Sequence, residues 1–237
     1  MTKDTTQRPE PHDQNIKPKL NRLRAAVMGA DDGILSVAGL VVGVAGATSS
    51  RTFIFAAGVA GILSGALSMA AGEYVSVSSQ RDTEQALLAK ERYELKHYPK
   101  SELSELVGLY RAKGLSESTA QRVAKELTAH DVQAAHYDAE LGIDPDQLMN
   151  PWHAAIASGV SFTLGAALPV ATIVLLPANV RVQLTFAIVM LALAVTGILS
   201  AKAGGAKPLK PTLRVMAFGA LAMVITYSVG KLFNVSM

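Results

Sequence analysis

The chain has 237 residues, of which 50% are hydrophobic and 17% are charged, whereas charged residues make up about a quarter of an ordinary soluble domain. It contains no cysteine, which excludes disulfide bonds and thiolate metal sites. All 19 acidic residues lie before position 147, so the stretch 147–237 lacks the mixed charge of a water-exposed surface and indicates contact with lipid. The net charge of +3 does not indicate a nucleic-acid partner, because the basic residues cluster beside apolar stretches.

The first 24 residues are polar and contain three prolines. They lack the apolar core of a cleavable signal peptide, and their composition predicts a disordered cytoplasmic tail. Four basic residues between positions 17 and 24 end this segment. A basic flank of this kind anchors the first membrane helix on the cytoplasmic side.

Five apolar stretches reach the length of about 20 residues that a helix needs to cross the hydrocarbon core. They cover residues 25–47, 53–76, 153–176, 182–203 and 213–232. Basic residues cluster before the first stretch and after the fourth, which places the N-terminus in the cytoplasm and the C-terminus outside it. We therefore predict an all-α integral membrane protein with five transmembrane helices. After the tail (1–24) come helices 1 and 2 (25–76), a cytoplasmic helical metal-binding insert (77–150), and helices 3 to 5 (151–237).

The first two predicted spans carry small or polar residues at spacings of three and four, which places them on one helix face. They are Gly29, Asp32, Ser36, Gly39, Gly43 and Gly46 in the first span, and Gly58, Gly61, Gly65, Ser68 and Gly72 in the second. Such faces let helices approach closely in lipid, so a packing seam explains the glycines without any further function. Asp32 is different, because a carboxylate at membrane depth must be paired or face water. Its neighbour Asp31 points about 100° away, toward the rim of the helix.

Met69 and Glu73 lie one helical turn apart in the second span and share a face. A thioether with a carboxylate suits a borderline-soft divalent cation, whereas Mg²⁺ and Ca²⁺ prefer oxygen alone. A lone methionine in an apolar helix is usually packing. Together with Asp32, however, the pair indicates an intramembrane metal path.

The segment between the second and third spans predicts three helices. The first continues from the second span, and Pro99 separates it from the second, for which Ser101 is the expected N-cap. Gly114 ends the second helix, Ser116 caps the third and Gly142 ends the third.

Acidic pairs recur along this insert at i, i+3 spacing, and a histidine–glutamate pair follows at i, i+4 spacing. They are Glu91 with Glu94, Glu102 with Glu105, and His136 with Glu140. Like charges at this spacing repel, and a bound cation would remove the repulsion. A solvated acidic hairpin would explain any one pair, but three pairs in one insert predict a site for several divalent metal ions.

Two segments resemble motifs of the vacuolar iron transporter family, which occurs in plants, fungi and bacteria. They are Met-Gly-Ala-Asp-Asp-Gly at 28–33 and Ala-Leu-Ser-Met-Ala-Ala-Gly-Glu-Tyr at 66–74, the second running on through Ser-Ser-Gln-Arg-Asp at 78–82. The resemblance covers the chain from about Leu20 onward. It implies a homodimer whose first spans line a central metal path, and proton-coupled export of Fe²⁺ or Mn²⁺ from the cytosol.

The resemblance also implies roles for individual residues. Asp32 and Met69 match the family's intramembrane carboxylate and methionine, and the four glutamates of the two acidic pairs, with Glu140, match its insert glutamates. The chain departs from the family at Gly61, where an acidic residue is expected, and at His136 and Tyr137, where paired methionines are expected. The loss of two thioethers makes the insert site harder and favours Mn²⁺.

We therefore predict a proton-coupled antiporter of Fe²⁺ or Mn²⁺, with Asp32, Met69 and Glu73 on the transport path and a proton returning through Asp32. The metal is cargo, with no permanently bound cofactor, and no enzyme motif is present. The expected partners are metal ions, protons, lipid and a second copy of the chain. An alternative is a membrane-anchored metal sensor or storage protein that binds ions without transport. Short tails without organelle signals favour a bacterial inner membrane.

Overall fold

The computed structural model describes residues 16–233, with side chains from residue 25 onward except that of residue 203. Within this range the chain is helical and contains no β-strand, so the predicted all-α fold is confirmed for the described residues. The α-helices of this range are α1 (Ile16–Ala47), α2 (Arg51–His97), α3 (Pro99–Ala112), α4 (Glu117–His136), α5 (Pro151–Leu175), α6 (Arg181–Ala203) and α7 (Leu209–Leu232). A π-helix (Tyr137–Leu141) follows α4, and a 3₁₀-helix (Pro145–Gln147) precedes α5.

Five of these helices, α1, α2, α5, α6 and α7, are long and apolar enough to cross a membrane. They coincide with the five stretches that the sequence predicted as spans. The second of these helices extends beyond its apolar residues. As predicted, α2 continues without interruption to His97, and no Gly or Pro lies between Glu73 and Pro99. The predicted tail falls largely on residues 1–15, which lie outside the described residues, and α1 begins at Ile16.

The chain divides into two compact units. One contains the residues up to 75 and those from 151 onward, and we call it the membrane unit. The other contains residues 76–150, and we call it the insert unit. The two units are described separately below.

In the membrane unit, α1 is the central helix and packs against α5, α6 and α7. Its buried side chains, such as Val41, form one apolar core with Phe162 of α5, Leu193 of α6 and Met223 of α7. Because lipid is as apolar as these side chains, close packing rather than exclusion of water holds the helices together.

The glycines of α1 lie where neighbouring backbones come closest. A Cβ on Gly29 would lie 2.5 Å from the carbonyl oxygen of Ser158 in α5, and a Cβ on Gly43 would lie 3.1 Å from that of Thr226 in α7. A Cβ on Gly230 of α7 would in turn collide with the carbonyl oxygen of Gly43. The glycines of α1 therefore form packing seams with α5 and α7, in agreement with the simpler of the two interpretations of the stripe.

In the insert unit, α3 packs against α4 around a small core of Leu106, Ala124 and Ala135. The predicted N-cap at Ser101 is wrong, because α3 begins two residues earlier at Pro99. Proline suits the first turn of a helix, where its missing N–H would have had no partner.

Ser116 caps α4 as predicted, since its hydroxyl accepts a hydrogen bond from the backbone N–H of Thr119. At the other end, Gly142 lies in the left-handed region with φ 62°. Glycine takes this conformation without steric cost, so the chain turns here as the sequence indicated. Between α4 and Gly142 lies the π-helix, which the sequence did not predict.

Candidate metal centre

Four side chains from four elements of the insert unit converge. Glu91 comes from α2, Glu102 from α3, His136 from the last residue of α4, and Glu140 from the π-helix. One ligand atom of each lies within 4.8 Å of all the others. Carboxylate oxygen and imidazole nitrogen are ligands for divalent first-row metals. We call these four residues the metal cluster.

The metal cluster differs from an ordinary acidic surface because three of its four side chains are buried and several of its polar atoms lack hydrogen bonds. Glu91 is 2% exposed and His136 is 1% exposed. Glu91 Oε1 lies 3.0 Å from His136 Nδ1, and His136 Nδ1 lies 3.7 Å from Glu140 Oε2. None of these three atoms has a hydrogen-bond partner of acceptable geometry among the described residues. Buried polar atoms normally have hydrogen-bond partners, and these three atoms lack them. Their geometry fits a cation bound between them.

The metal cluster holds negative charge away from water. Burial, followed by the nearby carboxylates of Glu140, Glu102 and Glu94, raises the pKa of Glu91 to about 7. Burial also raises the pKa of Glu102, with further contributions from neighbouring carboxylates. A divalent cation favours the ionised form of both groups and would therefore reverse these shifts.

The remaining two predicted insert ligands lie outside the metal cluster. Glu94 forms an ion pair with Lys90 at 3.3 Å, and Glu105 is exposed. Residues at i and i+3 are about 60° apart around a helix, so packing on one side buries the first glutamate of each pair and leaves the second nearer to water. The four ligand atoms lie close enough together to hold one metal ion, and a site for several ions in the insert stays a prediction.

In the membrane unit, a cleft of about 330 Å³ lies between α1 and α2. Asp32 and Ser36 of α1 line it, together with Ser64, Ser68 and Met69 of α2. The structure thus brings the predicted carboxylate and methionine to one cleft and adds serine hydroxyls beside them. Ser64 was not singled out from the sequence, although its position one turn before Ser68 was the available signal.

Glu73 is half-buried one turn beyond Met69 but does not belong to the lining of this cleft. Asp31 does not point to the rim as expected. It is half-buried, its carboxyl group interacts with Thr196 of α6, and its Oδ1 has no hydrogen-bond partner within the described part of the chain. The reason is that α1 packs against α5, α6 and α7, so a side chain about 100° away from the exposed Asp32 meets protein.

Comparison with known proteins identifies the family. The model of the VIT family matches residues 23–231. The chain is 40% identical to a vacuolar iron transporter from Acanthamoeba castellanii, over 89% of this chain and 78% of that protein. It is 36% identical to vacuolar iron transporter homolog 1 from Oryza sativa subsp. japonica, over 93% and 77% of the two chains. It is 35% identical to vacuolar iron transporter homolog 3 from Arabidopsis thaliana, over 90% of this chain and 83% of that protein. The resemblance of the two membrane motifs is thereby confirmed, and the chain belongs to the VIT family.

Proposed function

We propose that this protein is a transporter of divalent metal ions that moves Fe²⁺ or Mn²⁺ out of the cytosol in exchange for protons. The observation that carries this conclusion is the metal cluster, whose four ligand atoms lie within 4.8 Å of one another in a buried position. Relatives that are named iron transporters support the same class of cargo. Five apolar helices supply the membrane part that transport requires.

The donors of the metal cluster are three carboxylates and one imidazole. Fe²⁺ and Mn²⁺ accept this set, whereas Mg²⁺ and Ca²⁺ are held by oxygen alone. Zn²⁺ also binds nitrogen and oxygen ligands, so it is a competitor that must be tested. His136 stands where the family resemblance implies a methionine. The replacement of sulfur by nitrogen hardens the site and makes Mn²⁺ at least as suitable as Fe²⁺.

On the proposed path, the insert unit collects cytosolic metal and the ion then passes Met69 and Asp32. Both residues line the cleft of the membrane unit. Exchange for a proton needs a group within the membrane whose charge changes, and a carboxylate open to a cleft meets that need. Glu73, half-buried one turn beyond Met69, is the second candidate for this role.

We further propose that two copies assemble with their first spans together. Asp32, Ser36 and Leu40 recur on one face of α1 and are exposed in the single chain. This face also lines the cleft, and a second copy across the opening of the cleft would complete a protein-lined path around the Asp32 carboxylate in place of lipid. In the proposed orientation the N-terminus and the insert unit are cytoplasmic and the C-terminus is not. This orientation suits a bacterial inner membrane, which the sequence favours, and equally the vacuolar membrane that the relatives' names indicate.

The test is a flux measurement with the purified full-length chain in proteoliposomes that carry a pH gradient and an internal pH dye. Fe²⁺, Mn²⁺ and Zn²⁺ are offered in turn, and we expect metal flux coupled to opposite proton flux. Asp32→Asn should abolish both fluxes, whereas Asp138→Asn, which removes an exposed carboxylate of the insert unit, should leave them unchanged. Wild-type flux in Asp32→Asn would refute the path. Metal binding without any flux would instead place the protein among membrane-anchored sensors or storage proteins.

A further inference from the structure

The helix that carries His136 is interrupted five residues before that ligand. Within α4, Asp131 has φ −157° and ψ 101°, an extended conformation that breaks the helix. Its Oδ1 accepts a hydrogen bond from the backbone N–H of Ala134 at 3.0 Å. This is the geometry of an N-cap, which satisfies a backbone donor at the start of a new helix. Residues 131–141 therefore form a short segment with its own beginning, and we call it the ligand segment.

The ligand segment carries two of the four converging side chains. His136 is the last residue of α4, and Glu140 lies in the π-helix that begins at Tyr137. A π-turn includes one more residue than an α-turn, so it rotates the side chains that follow it, and such turns are frequent at functional sites. The break at Asp131 and the π-turn together set the directions in which the imidazole and the carboxylate face.

Tyr137 ties the ligand segment to α2. This residue is 3% exposed, and its hydroxyl accepts a hydrogen bond from Nε of Arg92 at 2.8 Å. The same hydroxyl donates to Oε1 of Gln133 within the ligand segment, at 3.4 Å. Arg92 directly follows Glu91 in α2. The contact therefore joins the segments that supply Glu91 and His136, whose ligand atoms lie 3.0 Å apart.

Granted the proposed metal-binding function, on which this inference rests, we propose that Asp131 and Tyr137 are positioning residues of the metal cluster. Asp131 fixes where the ligand segment begins, and Tyr137 fixes its distance from α2. Neither acts as a ligand, because the Asp131 carboxylate caps a helix and the Tyr137 hydroxyl is engaged by Arg92 and Gln133. In the sequence, Asp131 is one of several acidic residues of the third insert helix.

Substitution of either residue is expected to weaken metal binding without removing a ligand. Loss of a residue that orients a ligand typically lowers metal affinity by about 10- to 100-fold, so we expect about tenfold for Asp131→Ala and for Tyr137→Phe. Asp131→Asn should bind like the wild type, because asparagine caps a helix as well as aspartate does. Asp138→Ala removes an exposed carboxylate from the same segment, and a change within about twofold is expected from the lost surface charge.

The experiment uses the full-length chain in lipid nanodiscs. Mn²⁺ affinity is measured from the electron paramagnetic resonance signal of free Mn²⁺, and the coordination of bound Co²⁺ is read from its visible absorption bands. Thermal unfolding in EDTA measures the stability of each metal-free variant. We expect Asp131→Ala and Tyr137→Phe to lose affinity and to change the Co²⁺ bands, while Asp131→Asn and Asp138→Ala retain both.

The outcomes separate positioning from stability and from the metal centre itself. Wild-type affinity and Co²⁺ bands in both Asp131→Ala and Tyr137→Phe would overturn the inference, and so would a lower unfolding temperature with unchanged bands. If Asp131→Ala fails to fold, the affinity and Co²⁺ bands of Tyr137→Phe still test the inference. A wild-type chain that binds neither Mn²⁺ nor Co²⁺ in the insert unit would overturn the metal cluster, and the positioning roles with it.

Discussion

Proton competition at Glu91 is expected to make metal binding by the insert unit depend on pH. The pKa of Glu91 is raised to about 7, and a metal ion must displace that proton because only the carboxylate is a ligand. For one competing proton, the apparent Kd is larger than its limiting value by a factor of about 1.1 at pH 8 and about 11 at pH 6. We therefore expect Mn²⁺ to bind about tenfold more weakly at pH 6 than at pH 8.

The same proton acts on the stability of the metal-free insert unit. Because the folded pKa lies above the value of 4.5 for an unperturbed glutamate, the folded state holds the proton more tightly than the unfolded state. This stabilisation is fully present below about pH 4.5 and is lost as pH rises through about 7. Bound metal should restore that stability above pH 7, where Glu91 is ionised.

The assay is Mn²⁺ titration of the full-length chain in nanodiscs at pH 6, 7 and 8, followed by electron paramagnetic resonance. Glu91→Gln removes the titrating ligand and should abolish tight binding at each pH. Asp138→Asn is the matched control, since Asp138 is exposed and lies outside the metal cluster, and it should keep both the binding and its pH dependence. Equal Mn²⁺ affinity at pH 6 and pH 8 in the wild type would refute the reasoning.

Three further predictions, two of them with a control substitution, test the ligand assignment, the cap of α4 and the packing. Glu102→Gln should lower Mn²⁺ affinity at least about tenfold, as expected for a lost ligand. Glu105→Gln should change the affinity by less than about threefold, because Glu105 is exposed and solvent screens its charge. Equal effects of the two substitutions would contradict the assignment of Glu102, and not Glu105, as a ligand. Ser116→Ala should destabilise the start of α4 by about 1 kcal/mol, seen as faster hydrogen exchange in its first turns, and unchanged exchange would count against the cap. Gly230→Ala should lower the free energy of unfolding by roughly 1–3 kcal/mol, because the added methyl group overpacks against α1. Gly72→Ala has open space around it and should leave the thermal unfolding of the detergent-solubilised chain unchanged. Equal unfolding temperatures of the two variants would argue against the packing seam between α1 and α7.

The membrane helices could be predicted from the sequence because their length and composition are dictated by the bilayer. A span needs about 20 apolar residues whatever it packs against, so the five stretches were visible without tertiary information. The same holds for the continuation of α2 to His97, which only required that no Gly or Pro interrupt it. The direction of Asp31 was not predictable in this way, because it depends on the placement of α6 and its Thr196 beside α1.

The metal cluster could be predicted only in part. Helical spacing identified the glutamate pairs, but both members of a pair satisfy the same spacing rule. Which member is buried depends on the packing of α3 on α4 around Leu106, and this favours Glu102 over Glu105. The break at Asp131 left no signal in the sequence, since an aspartate within a polar helical stretch is also compatible with an uninterrupted exposed helix.

The two candidate sites differ in their ligands, as the proposed transfer of an ion from the insert unit to the membrane cleft requires. The metal cluster offers three carboxylates and an imidazole. Among the residues that line the membrane cleft, Asp32 is the only acidic one, beside serine hydroxyls and the thioether of Met69. Conduction requires a site that attracts the ion but does not retain it. In the proposed mechanism, one proton on Asp32 would remove the negative charge of this lining, so release of the metal would require no second titrating group there. An acidic residue at position 61, which the family resemblance implies and which Gly61 replaces in this chain, would have to be protonated as well.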